Sequence, residues 1–196
     1  MVIVKRVVLG VILLIVAAFL HYTLPQHDVV RITDTYGKRI DFGENSIFWA
    51  APDAGSGTGT VNRDVFFIQT FRTNGKPMIY RNEDTGWGWP PYFKFDTSNL
   101  QAEAADLISK KSAEKAQWVV VRHYGWRNEF LSIFPNAVGV RAVDSSDIRI
   151  IPWLNIIILT SLVALFWAVR VRWRRFWRNW RRRHDPDYDE FTTGWG

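Results

Sequence analysis

Ile150-Ile-Pro-Trp-Leu-Asn-Ile-Ile-Ile-Leu-Thr-Ser-Leu-Val-Ala-Leu-Phe-Trp-Ala-Val169 runs straight into Arg170-Val-Arg-Trp-Arg-Arg-Phe-Trp-Arg-Asn-Trp-Arg-Arg-Arg183, and this junction decides how the chain is read. The first part has 20 residues and no charge. As a helix it covers about 30 Å, the thickness of a bilayer's hydrocarbon. The second part carries eight arginines and no acid. Val169, Trp173, Phe176, Trp177 and Trp180 recur there at three- and four-residue spacing, one helical face. A basic helix of this kind can bind RNA. Beside an apolar run of spanning length, its expected contact is instead the anionic headgroups of the cytoplasmic leaflet. The contact residues are then Arg170, Arg172, Trp173, Arg174, Arg175, Trp177, Arg178 and Trp180.

A second apolar run lies near the other end, from Val7 to Leu24, preceded by Lys5 and Arg6. A basic start, an apolar middle and the small pair Ala17-Ala18 also describe a signal peptide. The residues beyond, Phe19-Leu-His-Tyr-Thr-Leu-Pro25, are still half apolar, so an uncleaved anchor is the expectation. The positive-inside rule sets both basic flanks in the cytoplasm and residues 25–149 on the other side. Four segments result: 1–24, a transmembrane helix; 25–149, a folded domain; 150–169, a second transmembrane helix; 170–196, an amphipathic Arg/Trp helix with an acidic tail.

Charge supports this division. The formal net charge is +6, from 25 Lys+Arg and 19 Asp+Glu. Residues 25–149 hold 15 of each sign, so the surplus sits at the two ends. A nucleic-acid-binding domain would carry its basic excess on the folded body, so no nucleic-acid partner is expected. The chain has no Cys, which excludes disulfides, thiol catalysis and thiolate metal sites. It has 4 His, and His21 and His27 lack ligand spacing; no metal and no cofactor are expected.

Strand patterns cover Asp28–Tyr36, a return at Arg39–Phe42 after a Gly37-Lys38 turn, Val65–Phe71, and Met78–Arg81 after an Asn74-Gly75 hairpin. Thr97-Ser-Asn99 is read as the cap of a helix from Leu100 to about Ala116. Gln117–Tyr124 is a further strand, and Phe130–Phe134 with Ala137–Val143 is read as a hairpin. The fold class is α+β: two transmembrane helices flanking a small β-rich domain, barrel or open sheet, with about six strands and one helix. Gly55-Ser-Gly-Thr-Gly59 lacks the Lys and the following helix of a phosphate loop, and is read as a plain loop.

Chemistry concentrates in Tyr80-Arg-Asn-Glu-Asp-Thr-Gly-Trp-Gly-Trp-Pro-Pro-Tyr-Phe93 and His123-Tyr-Gly-Trp-Arg127. Arg81, Glu83, Asp84, Trp87, Trp89, Tyr92, His123, Trp126 and Arg127 form a candidate binding surface. Clustered rings stack sugars, anchor partners or sit at a bilayer; the plainer alternative is that they cap a core. His123 beside Glu83 or Asp84 would make a general base, but no Ser or Thr stands out as nucleophile. No catalytic residue is assigned.

Leu20-His-Tyr-Thr-Leu-Pro-Gln26, Tyr80 to Asp96, His123 to Arg127, Leu131-Ser-Ile-Phe-Pro-Asn-Ala137 and Ile151-Pro-Trp-Leu-Asn155 resemble a bacterial family of uncharacterised, short inner-membrane proteins, a catalogued domain of unknown function. The resemblance covers almost the whole chain; the Arg-rich tail and the Gly55–Gly59 loop are where agreement is least expected. It implies a two-pass protein of the bacterial inner membrane with residues 25–149 in the periplasm, and brings no activity with it. The expected function is non-enzymatic: the periplasmic domain binds a partner protein or envelope component. The alternatives are a periplasmic ligand sensor that signals through a partner, and an envelope hydrolase.

Overall fold

The computed structural model describes residues 2–40, 63–109 and 116–184. The first apolar run is α1 (Val2–Thr23), a single helix of 22 residues. It ends at Pro25, which has no N–H to donate and whose ring disfavours helical backbone at Leu24. Leu24 N–H still closes on Leu20 O at 2.8 Å, and β1 (Gln26–Ile40) begins two residues later.

The strands β1, β2 (Arg63–Arg72), β3 (Pro77–Asn82), β4 (Trp118–Tyr124) and β5 (Asn136–Val143) close into a barrel in the order β1-β2-β3-β5-β4. All neighbours are antiparallel except β3 and β5. The helix α2 (Thr97–Asp106) lies in the connection from β3 to β4. A five-stranded Greek-key barrel with this strand order and this helix placement has the topology of the OB class.

Period-two alternation fills the interior. Val30 and Ile32 from β1, Ile68 from β2, Met78 and Tyr80 from β3, Val119 and Val121 from β4, and Ala137 from β5 meet Leu100 and Ala104 of α2. Thr70 also points inward, with its hydroxyl donated to Met78 O at 2.8 Å.

Three details differ from the sequence reading. Gly37-Lys38 does not turn: β1 is one strand of 15 residues, pairing β4 through Gln26–Val30 and β2 through Val30–Ile40. A barrel needs such a shared, coiled strand, and a register shift between Ile32 and Asp34 supplies the bend. Asn136–Val143 pairs with β4, whereas Phe130–Phe134 falls in a turn held by a bridge between Asn128 and Ile133. The barrel therefore has five strands among the described residues. Finally, α2 begins a turn earlier than expected, with Asp96 as N-cap accepting from Asn99 N–H at 2.9 Å, and it ends at Asp106. Ser109 N–H then bonds Ile32 O at 3.0 Å, which draws the chain off the helix axis and onto β1. The Gly55–Gly59 loop and the acidic tail lie outside the described residues.

The second apolar run is part of α3 (Trp153–His184), 32 residues long and about 48 Å at 1.5 Å per residue. It continues unbroken through Arg170 into the arginine-rich segment. Both α1 and α3 are long and apolar enough to cross a membrane, and their apolar side chains are exposed rather than packed inside the protein. The chain divides into two compact units, Met1–Pro152 and Trp153–Gly196.

Ile32 is fully buried against α2 and the facing strands, so Ile32→Ala should cost about 2–5 kcal/mol. Glu103→Ala, on the exposed side of α2, should stay within about 0.5 kcal/mol. Thermal melts of the full chain in mild detergent check both.

Candidate functional site

The densest part of the sequence folds around the end of α1. Tyr92 donates its hydroxyl to Thr23 O at 2.6 Å and stacks on Tyr124 at 4.9 Å. Gly125 N–H bonds Tyr22 O at 2.9 Å. Gly125 has φ +92°, a backbone conformation that side-chain-bearing residues rarely adopt, so a residue with a side chain would be strained here. Trp126 Nε1 donates to His21 Nδ1 at 2.9 Å, and its ring meets Tyr22 edge-on at 5.3 Å. Trp89 stacks on Phe19 at 5.6 Å, with planes 13° apart. Two loops, 83–96 and 125–135, thus clasp the last turns of α1.

A polar network anchors the first loop to the barrel. Asn136 accepts Glu83 N–H at 2.9 Å and donates to Glu83 O at 3.0 Å and to the Tyr124 hydroxyl at 3.2 Å. Lys94 turns inward and donates to Asn82 Oδ1, to Glu83 O at 3.1 Å and to Ala137 O at 3.1 Å. Those three acceptors match the three protons of an ammonium. Burial pushes the Lys94 amine down to about 8, against the opposing charges of Asp84 and Glu83. Burial likewise raises the phenols of Tyr92 and Tyr124.

These positions redistribute the candidate surface. Arg81 and Glu83 are buried and pair with each other at 3.3 Å. Asp84 accepts from the Thr97 hydroxyl at 2.6 Å. His123 is buried in the barrel, its Nε2 3.3 Å from Asp28 Oδ2 on β1. The pairing of His123 with Glu83 or Asp84 is therefore corrected: inward alternation on β1 and β4 brings Asp28 to it instead. Arg127 sits over the Phe134 ring at 4.4 Å and donates to Asn128 O and Ile133 O, both at 3.0 Å. Trp87 and Trp89 remain exposed, and Trp87 packs against Phe93 and Phe95.

Asp28 is the hub of a second group that the sequence reading missed. It accepts the Tyr80 hydroxyl at 2.6 Å and Arg72 at 2.9 Å, and faces His123. Burial alone would raise its carboxyl. The imidazole of His123 against it and the hydrogen bonds from Tyr80 and Arg72 outweigh burial and hold it well below the usual carboxylate range. Asp28 shares a face with Val30 and Ile32, so counting in twos back from the core was the signal that would have found it. Arg72 also lines a cavity of about 680 Å³, together with Arg31, Phe71, Thr73, Ser109 and Trp118. Among the described residues no group of three His, Asp or Glu comes together to hold a metal.

Residues 2–177 match the family described as "Protein of unknown function (DUF1523)". The chain belongs to the DUF1523 family. An "Uncharacterized protein" of Haemophilus influenzae is 35% identical over 161 residues, 82% of this chain and 83% of its own length. No solved structure matches. The DUF1523 match spans the Gly55–Gly59 loop and ends at residue 177, inside the arginine-rich segment. That segment's Arg170, Arg172, Trp173, Arg174, Arg175, Trp177, Arg178 and Trp180 all lie on α3 and are exposed. Trp173, Trp177 and Trp180 form a ladder of successive edge contacts at 6.0 and 5.6 Å along one side of the helix.

Two pH effects follow for this DUF1523 barrel. Asp28 is ionised more easily folded than unfolded, so its contribution is present above about pH 4 and is lost as pH falls toward its folded value. Asp28→Asn should lower stability near neutrality by about 1.5–3 kcal/mol and flatten the acid limb of a melting-temperature profile. Lys94 shifts stability in the same direction for a different reason, since burial rather than pairing holds its folded value down. The unfolded chain holds that proton up to about pH 10.5 and the folded chain to about 8, so stability should rise with pH across this window. Lys94→Met should remove the rise and lower stability at pH 7 by taking the ammonium from Asn82 Oδ1 and Ala137 O, while Glu83 O keeps its bond from Asn136; melts from pH 7 to 10 test it.

Proposed function

We propose that this chain is a non-enzymatic, two-pass protein of the bacterial inner membrane, with both termini in the cytoplasm and residues 25–149 in the periplasm. In this reading its barrel binds a partner protein or an envelope component. The observation that carries the reading is the clasp. Phe19, His21, Tyr22 and Thr23 of an exposed apolar helix are gripped by rings and backbone of the barrel's own loops. Such a grip holds a binding domain at a fixed height over a bilayer. The basic flanks, Lys5 and Arg6 before α1 and Arg170 onward in α3, support the orientation.

The cavity beside Arg31, Phe71, Arg72 and Trp118 is the place this reading assigns to the envelope component. Its size suits a small ligand, and two guanidiniums beside two aromatic rings favour an anionic group on a flat or apolar body. On the cytoplasmic side, the arginines and rings of α3 would contact anionic headgroups. At about 48 Å, α3 exceeds the hydrocarbon thickness by about 18 Å, enough to carry the arginines out of it.

Alkaline phosphatase fused after Gly55 should be active and after Gly196 inactive; the reverse pattern would overturn the orientation. For binding, Thr73→Trp should fill the cavity from an exposed position without shifting the melt. Recovery of a bound envelope component with the full chain in mild detergent should fall at least tenfold. Equal recovery from both proteins would remove the cavity from the proposal.

A further inference from the structure

The 86–93 segment, Gly-Trp-Gly-Trp-Pro-Pro-Tyr-Phe, contains no charged residue. The next residue, Lys94, turns its ammonium into the barrel. What the loop shows to the outside is aromatic: Trp87 is 84% exposed, Trp89 65%, and Phe93 and Phe95 54% each. Phe130, in the turn of the other clasping loop, is 95% exposed. Rings left uncovered in this density mark an interaction surface.

The stack of Trp89 on Phe19 sets the height of that surface. Phe19 lies four residues before the end of α1, about 6 Å below Thr23 along the axis. From Val2 to Thr23 is about 32 Å, close to the roughly 30 Å of hydrocarbon once Lys5 and Arg6 snorkel. With Thr23 at the outer boundary, Phe19 falls about 6 Å inside it, and the ring stacked on it lies near the same depth. Trp is the residue most at home there, with an apolar body and one N–H for the headgroups.

We propose that the exposed rings of the 86–95 loop sit in the headgroup layer of the outer leaflet, so that the barrel is docked on the lipid rather than held above it. This rests on α1 spanning the bilayer, as proposed above. Trp89 then marks the boundary beside the helix, Trp87 with Phe93 and Phe95 extends the contact sideways, and Phe130 touches down from the second loop. The lipid surface is the occupant favoured by continuity. The patch is joined without a break to the apolar surface of α1, and no charged side chain interrupts it between Gly86 and Phe93.

Because the chain has no cysteine, single labels can be placed cleanly. Phe93→Cys, Trp87→Cys, Leu13→Cys and Asn74→Cys each receive an environment-sensitive fluorophore. The full chain is then placed in vesicles of phosphatidylethanolamine and phosphatidylglycerol. Quenching is compared between a shallow spin-labelled lipid and aqueous iodide. Leu13, midway along α1, reports the span; Asn74, in the β2–β3 turn, reports solvent. The labels at 87 and 93 should be quenched several-fold more by the lipid than by iodide, as at Leu13, with Asn74 the reverse. Iodide quenching at both 87 and 93, with lipid quenching at Leu13, overturns this inference alone. Iodide quenching at Leu13 overturns the spanning reading and the inference with it. Protection of 87 and 93 from both quenchers means that protein covers the loop, a second copy or a partner, and also overturns it.

Discussion

Two residues, Leu24 and Pro25, separate a helix with no buried face from a strand that lies in a closed barrel. The rest of the unit is arranged around that short junction. With no linker to decouple them, the direction of α1 and that of β1 are tied together. The barrel completes the tie by folding two of its loops back onto Phe19, His21, Tyr22 and Thr23. In OB-type barrels the loop between the last two strands is a common ligand contact. Here that loop holds the chain's own helix through Gly125 and Trp126.

The clasp depends on polar groups beneath it. A loop with two glycines and two prolines has little regular hydrogen bonding of its own, so its backbone needs partners elsewhere. Asn136 and Lys94 supply them from within the barrel's edge, capturing both the N–H and the C=O of Glu83. The cost is a partly buried ammonium, lowered toward neutrality. A few ångströms of protein therefore separate an interior lysine, fully hydrogen-bonded, from an outer surface made of bare rings. That division of labour leaves the 86–93 stretch of the loop without charge while the interior holds its shape.

Several elements were legible from local pattern alone. The two apolar runs, the Asn74-Gly75 hairpin, the Val65–Phe71 strand and the β-character of Gln117–Tyr124 each follow from side-chain periodicity within a few residues. What misled was also local. Gly37-Lys38 looks like a turn, yet barrel closure requires one strand to pass through it and serve two neighbours. Glu83, Asp84 and His123 invite an acid–base reading because each lies in one of the two ring-rich segments. Strand alternation separates them: Glu83 goes to Arg81, Asp84 to Thr97, and His123 to Asp28 from the first strand.

By itself, the sequence determined the class of the chain: two helices of spanning length around a neutral, cysteine-free α+β domain, and membership in one uncharacterised family. Such features are additive along the chain, because apolar length, charge and period need no knowledge of distant residues. The tertiary structure alone decided which face of each motif is used. Whether Trp89 is a core ring, a free surface or a brace for Phe19 depends on a contact 70 residues away in sequence, and His123 with Asp28 on one 95 away. Contacts of that range arise when the barrel closes, since closure converts alternation along each strand into inside and outside for all five at once.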